Sequence, residues 1–271
     1  MPELPEVETT RRGIFPHIVN KPIRDIVIRQ HQLRWPVLPS LGDEIIGRQI
    51  TEVGRRAKYL IFYLEHGCVI LHLGMSGSLR ILDPAVPADK HDHVDILFRD
   101  GTCLRFRDPR RFGSIHWTSR DPLEHHLLRH LGPEPLGPAF TGAYLHARSR
   151  RRTQSIKTFI MDSRTVVGVG NIYANEALYK SGIHPLRKAG NISPARYAEL
   201  TGSVRNVLNA ALAKGGTTLR DFVGGDGAPG YFKLELDVYD RAGEPCNTCR
   251  AGIRQIRQGQ RSTYYCPQCQ R

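Results

Sequence analysis

Long apolar runs are missing from this 271-residue sequence. None approaches the ~20 consecutive apolar residues that a membrane-crossing helix needs. The opening residues are acidic and proline-rich, unlike a secretory signal, so the expected location is the cytoplasm. No segment pairs one basic helical face with one bulky apolar face, which disfavours an anionic membrane surface as partner. Negative charge is short as well: 26 Asp plus Glu stand against 39 Lys plus Arg, for a net charge of +13. The excess is mostly arginine, whose planar fork suits bidentate contact with phosphate, so a polyanion, most simply a nucleic acid, is the expected partner. No internal repeat is present. The glycine-containing stretch Gly168-Val169-Gly170-Asn171 lacks a Walker lysine and has no βαβ unit around it, so it is neither an NTPase loop nor a dinucleotide fingerprint.

What remains is a globular chain with 40% hydrophobic residues, long enough for two domains. Pro5 and Glu6, followed by Val7 and Ile14, predict a short amphipathic helix near the start, with Glu6 in its first turn. Glu6 is equally well read as a helix cap or as a functional carboxylate. From Ile23 to about Trp117 the pattern is that of strands: Leu60, Phe62 and Leu64 alternate, as do Val69, Leu71 and Leu73, and Asp100-Gly101 marks a hairpin. Cys68 and Cys103 lie alone in apolar strands and read as small buried hydrophobes. Leu123, Leu127, Leu128 and Leu131 predict a helix. Gly132-Pro133-Glu134-Pro135-Leu136-Gly137-Pro138 then reads as a rigid connector. Helices are expected at about Thr141–Ser149, Thr153–Met161 and Asn171–Ser181, with a long one from Ser193 to Gly215-Gly216. Glycines before a helix let backbone N–H groups face an anion, so Gly168–Asn171 is either a phosphate cradle or a plain helix start. Gly224–Gly230 is either a lid or a linker.

Three sets of residues carry chemistry. Removal of Met1 would leave Pro2 with a free secondary amine, titrating near pH ~8 and far more nucleophilic at neutral pH than a lysine. Glu3 then stands beside the reacting atom. Leu73–Ser78 places Met75 in a flexible loop after a strand, and Asp108–Gly113 places Arg110 and Phe112 after another, so an apolar side chain, an arginine and an aromatic could share one rim. Finally, Cys246-x2-Cys249 and Cys266-x2-Cys269, separated by sixteen residues, have the spacing of a four-thiolate zinc site with a hairpin between two knuckles. A cytosolic chain disfavours disulfides. Four thiolates leave no open position, so this zinc is structural, and no organic cofactor is expected.

Taken together, Met1-Pro-Glu-Leu-Pro-Glu-Val-Glu-Thr9, His72-Leu-Gly-Met-Ser-Gly77, Asp108-Pro-Arg-Arg-Phe-Gly113, Gly168-Val-Gly-Asn-Ile-Tyr-Ala-Asn-Glu176 and Gln260-Arg261 with the four cysteines resemble the bacterial formamidopyrimidine-DNA glycosylases, also called 8-oxoguanine-DNA glycosylases. The resemblance runs from the first residue to the last. It implies an α+β protein: an N-terminal antiparallel β-sandwich with flanking helices over residues 1–132, a helix–two-turn–helix domain over 133–235, and a four-cysteine zinc finger over 236–271. It implies action on double-stranded DNA that contains oxidised purines or abasic sites, in the bacterial cytoplasm and at the nucleoid; nothing in the sequence suggests an oligomer, so a monomer is expected. By the same resemblance Pro2 is the Schiff-base nucleophile and Glu3 the acid, with Lys58 and Arg261 also catalytic. His72, His91, Arg110, Lys157, Asn171 and Tyr239 are DNA-binding positions, and Met75, Arg110 and Phe112 fill the gap left by an extruded base. The loop at Thr217–Tyr231 would cover that base. Two rivals stand beside this reading. An endonuclease VIII-type enzyme for oxidised pyrimidines is disfavoured by Leu4 and the Met75/Arg110/Phe112 set. A non-catalytic zinc-ribbon DNA-binding protein is disfavoured by the intact Pro2-Glu3 pair.

Overall fold

The structure is a computed structural model that describes residues 2–215 and 236–271. It divides into two compact units, one reaching to Arg129 and the other formed by His130–Ala213 with the segment from Leu236 onward. Helix α1 (Leu4–Ile18) opens the first unit. Leu4, Val7, Ile14 and Ile18 fall on one face and are fully buried, which is what holds a helix of weak overall amphipathicity in place. Strand β1 (Ile23–Ile28) follows, then a short helix α2 (Leu41–Ile45) that interrupts the run of strands expected from the sequence. Strands β2 (Glu52–Arg56), β3 (Tyr59–Leu64), β4 (Gly67–His72), β5 (Ser78–Leu82), β6 (Asp92–Phe98), β7 (Cys103–Arg107) and β8 (Ser114–Thr118) complete the unit.

These strands form two antiparallel sheets, in the orders β1-β6-β7-β5 and β2-β3-β4-β8. Side chains of both sheets and of α1 meet in one core that includes Phe62, Leu71, Phe98 and Phe106. Cys68 and Cys103 are buried in it as expected. The Asp100-Gly101 hairpin is present, with Gly101 at φ 88, a conformation that favours glycine.

The leucine pattern at 123–131 does not make a helix. A single 3-10 turn at Pro122–Glu124 is followed by further turns, and Leu123 is 49% exposed while Leu128 is buried. The stretch lies between Pro122 and the Gly132-Pro133 pair. So short a helix is marginal unless packing supports it, and one buried leucine does not supply that support.

In the second unit, helices α3 (Gly142–Ser149), α4 (Ile156–Met161), α5 (Asn171–Lys180) and α6 (Pro194–Ala213) surround a core built on Phe140, Phe159, Tyr173 and Tyr197. All four lie where the sequence placed helices. A Cβ on Gly142 would lie 2.7 Å from the Ala198 backbone, so this glycine is what lets α3 approach α6 closely. The tail adds a two-stranded hairpin, β9 (Arg254–Gln258) and β10 (Arg261–Tyr265), with a thin core of its own around Val238, Ile253 and Tyr264. No helix among the described residues is long and apolar enough to cross a membrane.

Candidate active site

Pro2 and Glu3 are both buried at the head of α1. Glu3 is the helix N-cap, and its N–H donates to the Glu6 carboxylate at 2.8 Å. Glu6 is therefore a capping residue, one of the two readings its position allowed. The helix is tied down a turn later. The Glu8 carboxylate accepts from Arg11, Arg12 and Arg55 at 2.8 to 3.1 Å. Burial pushes its pKa up, but these guanidinium bonds and charges override that and bring it to about 2. Arg55 belongs to β2 and also donates to the Ala57 carbonyl at 2.8 Å. Ala57 has φ 56, a left-handed conformation that is costly for alanine, in the turn that presents Lys58. One arginine thus fastens both α1 and the Lys58 turn to the sheet.

Tyr59, which follows Lys58, pairs across the ladder with His72, and their rings stand 4.7 Å apart. Burial, then the charges of Lys58, Arg34 and His116, lower the His72 pKa to about 4, so its ring is neutral at physiological pH. Its Nδ1 accepts from the Gly74 N–H at 3.0 Å. The proton of the neutral ring therefore sits on Nε2, available to an acceptor.

The loops carrying Met75, Arg110 and Phe112 are fastened to each other by Asp108, which is fully buried. Its carboxylate accepts from Ser76 Oγ at 2.9 Å and from Gly113 N–H at 2.7 Å, while Ser76 Oγ accepts from Arg110 N–H at 3.2 Å. Gly74, at φ 67, has no room for a side chain: a Cβ would meet Gly113 N at 2.4 Å. The two motifs thus share one rim, as the sequence suggested. Arg110 lies over the Phe112 ring at 4.9 Å, and Phe112 is 44% exposed. Met75 is half-buried in a loop drawn in against Gly113. A surface cavity of about 610 Å³ beside this rim is lined by Gln32, Leu33, Arg34, Arg110, Arg111 and Phe112. His91 is half-buried, and its carbonyl accepts from Asp108 N–H.

The second unit groups a different set. Lys157, on α4, is buried, and its ammonium donates to Ser262 O at 3.0 Å and Thr263 Oγ1 at 2.7 Å. Asn171 opens α5 and donates to the same Ser262 carbonyl at 3.0 Å, while its buried Oδ1 has no hydrogen-bond partner among the described residues. Asn175 accepts from Tyr264 N–H at 2.9 Å. Arg261, at the exposed start of β10, borders a cavity of about 410 Å³ that Lys157 and Thr158 also line. Glu176, which was not singled out from the sequence, accepts from the N–H groups of Asp237, Val238 and Tyr239, all at 2.9 Å. Burial holds its carboxyl above the usual range against the pull of these bonds. Tyr239 in turn packs edge-on against Tyr264 at 5.1 Å.

The sulfur atoms of Cys246, Cys249, Cys266 and Cys269 all lie within 4.8 Å of one another. Two of the separations, 3.8 Å for Cys246–Cys269 and 3.4 Å for Cys249–Cys266, are too long for disulfides. One matches, and the other falls a few tenths of an ångström short of, the ~3.8 Å expected between thiolates bound tetrahedrally at ~2.3 Å from one zinc. The donor set therefore fits one structural zinc ion. The loop expected over an extruded base, Thr217–Tyr231, lies outside the described residues.

Family models match three successive stretches: the formamidopyrimidine-DNA glycosylase N-terminal domain over residues 1–115, the H2TH domain of the same enzymes over 131–223, and the zinc finger found in FPG and IleRS over 243–271. The chain belongs to the formamidopyrimidine-DNA glycosylase family. The formamidopyrimidine-DNA glycosylase of Methylococcus capsulatus is 59% identical over 271 residues, covering all of both chains. Among solved structures, Lactococcus lactis Fpg in complex with DNA containing an abasic site is 34% identical, covers 99% of each chain and superposes with a TM-score of 0.92. A MutM complex with DNA containing carbocyclic 8-oxo-G is 34% identical over the whole of both chains, also with a TM-score of 0.92.

Proposed function

We propose that this chain is a bifunctional base-excision-repair enzyme that removes oxidised purines, 8-oxoguanine and formamidopyrimidines, from double-stranded DNA and then nicks the strand. The observation that carries the reading is the buried Pro2-Glu3 pair, capped by Glu6 and fastened through Glu8 and Arg55 to a rigid sheet. With Met1 removed, the Pro2 nitrogen attacks C1′ of the damaged nucleotide. The N-glycosylic bond breaks, and the base leaves with its electron pair. Glu3 protonates the ring oxygen as the sugar opens, leaving an iminium between Pro2 and C1′. That cation acidifies the C2′–H bond. Loss of this proton expels the 3′ phosphate, and a second elimination expels the 5′ phosphate.

Extruding a base costs a few kcal/mol, and side chains that fill the vacated space offset it. Met75 and Phe112 suit the apolar part of that task, and Arg110 can hydrogen-bond the orphaned partner base. Lys58 sits next to the anchored turn and His72 carries a proton on Nε2, so both suit the lesion phosphates. Lys157, Asn171, Arg261 and Tyr239 are assigned to the DNA backbone, and His91 is a further contact. The zinc orders the hairpin that carries Arg261. In this reading residues 1–132 are the catalytic domain, 133–235 the helix–two-turn–helix domain and 236–271 the zinc finger. The protein works as a monomer in the cytoplasm, at the nucleoid.

Incubating Met1-free protein with an 8-oxoguanine duplex and borohydride should trap a covalent protein–DNA complex. A preparation that cleaves the duplex yet gives no adduct would remove the Schiff base from the mechanism. Faster processing of an oxidised-pyrimidine duplex would overturn the purine assignment.

A further inference from the structure

A group of three imidazoles in the first unit takes no part in the reading above. His116 lies on β8, and His125 and His126 follow the 3-10 turn at Pro122–Glu124. Their ring centres are 5.5 Å apart for His116–His125, 6.3 Å for His116–His126 and 4.3 Å for His125–His126. A histidine nitrogen ~2.1 Å from a metal places its ring centre about 3.2 Å from that metal. Two rings on one ion therefore stand about 4.5 to 6.3 Å apart for bond angles from about 90° to 160°. Two of the three separations fall in this window, and the third misses by a few tenths of an ångström.

A second observation is independent of the spacing. The His116 Nε2 atom is buried and has no hydrogen-bond partner among the described residues. A buried polar nitrogen left without a partner is costly and calls for an explanation such as a bound ion or water. The remaining ties are weak. His125 Nδ1 accepts a long 3.4 Å contact from Leu127 N–H, and His126 is exposed and able to rotate inward.

We infer that His116, His125 and His126 form a second metal site, for a divalent late first-row cation such as Zn²⁺, Ni²⁺ or Cu²⁺, apart from the four-cysteine cluster. Imidazole suits these ions, and three nitrogens leave a position for water. The site differs in kind from the thiolate cluster, which already converges on a point. Here the rings must swing together, so the affinity is lower and the ion exchangeable.

The chain has two tryptophans, and both report on this place. Trp35 packs edge-on against His126 at 6.3 Å, and Trp117 is the next residue after His116 on β8. Tag-free, zinc-loaded protein titrated with Ni²⁺ should bind one further ion in equilibrium dialysis, keep its zinc, and lose tryptophan emission in parallel with uptake. His126→Gln should weaken the binding by more than about tenfold, and His125→Gln with His126→Gln should abolish it. His66→Gln, at an exposed histidine elsewhere in the unit, should change nothing. The absence of saturable Ni²⁺ uptake by the wild-type protein would overturn the site. So would uptake that survives the double substitution. His126 is exposed, so its single variant retains the fold and keeps the test decisive.

Discussion

In the β unit, the candidate catalytic and base-gap residues hang from two sheets, and the ties that aim them are carboxylates of the same unit: Glu8 for α1 and the Lys58 turn, Asp108 for the Met75, Arg110 and Phe112 loops. In the helical unit, the candidate backbone-gripping residues are tied to the zinc hairpin itself. Lys157 and Asn171 converge on the Ser262 carbonyl, and Glu176 gathers the three N–H groups that lead into the cysteines. The first arrangement rests on a large apolar core and needs no metal. The second rests on a segment with a thin core, where metal binding supplies much of the folding free energy. Chemistry and grip therefore depend on different sources of stability.

Removing the zinc should break this pairing most severely. Structural zinc contributes on the order of 10 kcal/mol to the folding of small fingers. Its chelation should unfold the hairpin, strip Lys157 and Asn171 of their common acceptor and reduce duplex affinity by at least about a hundredfold, or ~2.7 kcal/mol. The thermal transition of the β unit should stay within a few degrees of its original position. A zinc-free protein that still binds duplex tightly would show that the grip does not depend on the hairpin.

Asp108→Ala is the corresponding break in the β unit. It orphans the Ser76 hydroxyl and the Gly113 N–H in a fully buried place, at about 1–3 kcal/mol for each. The rim should loosen, and cleavage of a duplex lesion should fall by about a hundredfold, equivalent to ~2.7 kcal/mol. Strand nicking at an abasic site in single-stranded DNA, which needs no base-gap filling, should fall far less. Equal losses on both substrates would mean that Asp108 supports the Pro2 end of the unit and not the rim.

These two cases also mark how far the sequence could be read. The motifs, the hairpin at Asp100-Gly101, the four later helices and the zinc spacing follow from local signals, because capping residues, turn glycines and paired cysteines act over a few positions. Local signal misled at 123–131, where leucine spacing imitated a helix that no core face supports. The carboxylate ties were out of reach for a different reason. Glu8 meets Arg55 across 47 positions and Asp108 meets Ser76 across 32, and a single sequence carries no sign of which distant group a residue will find. The Arg11 and Arg12 partners of Glu8 were accessible at helical spacing, but its third partner is the one that matters for the site.

Glu176→Gln sharpens the contrast at smaller cost. The side chain keeps its shape and one acceptor oxygen, which can still serve Val238 and Tyr239, but the other oxygen becomes an NH2 donor facing the Asp237 N–H, which needs an acceptor. A loss of about 1–2 kcal/mol is expected, read as roughly a tenfold weaker duplex affinity with zinc still bound. Tyr239 and Arg261 would then be displaced together, so the salt dependence of binding should become shallower. Unchanged affinity would separate the entry segment at Asp237–Tyr239 from DNA binding.

The smallest effect belongs to Glu8 and is a matter of pH. Its folded pKa of about 2 lies below the ordinary carboxylate value, so its contribution is fully present above about pH 4.5 and is lost as pH falls toward 2. Arg12, one of its partners, is 59% exposed, and screening there holds the expected contribution to about 1 kcal/mol. Acid titration between pH 4.5 and 2 should therefore cost the wild-type protein about that much more stability than it costs Glu8→Gln. Glu8→Gln removes that titration, so its stability should fall less steeply over the same interval and match the wild type more closely at pH 2 than at pH 7. If the two curves run parallel throughout, the arginines do not hold Glu8 ionised, and the fastening of α1 rests on its four buried apolar side chains alone.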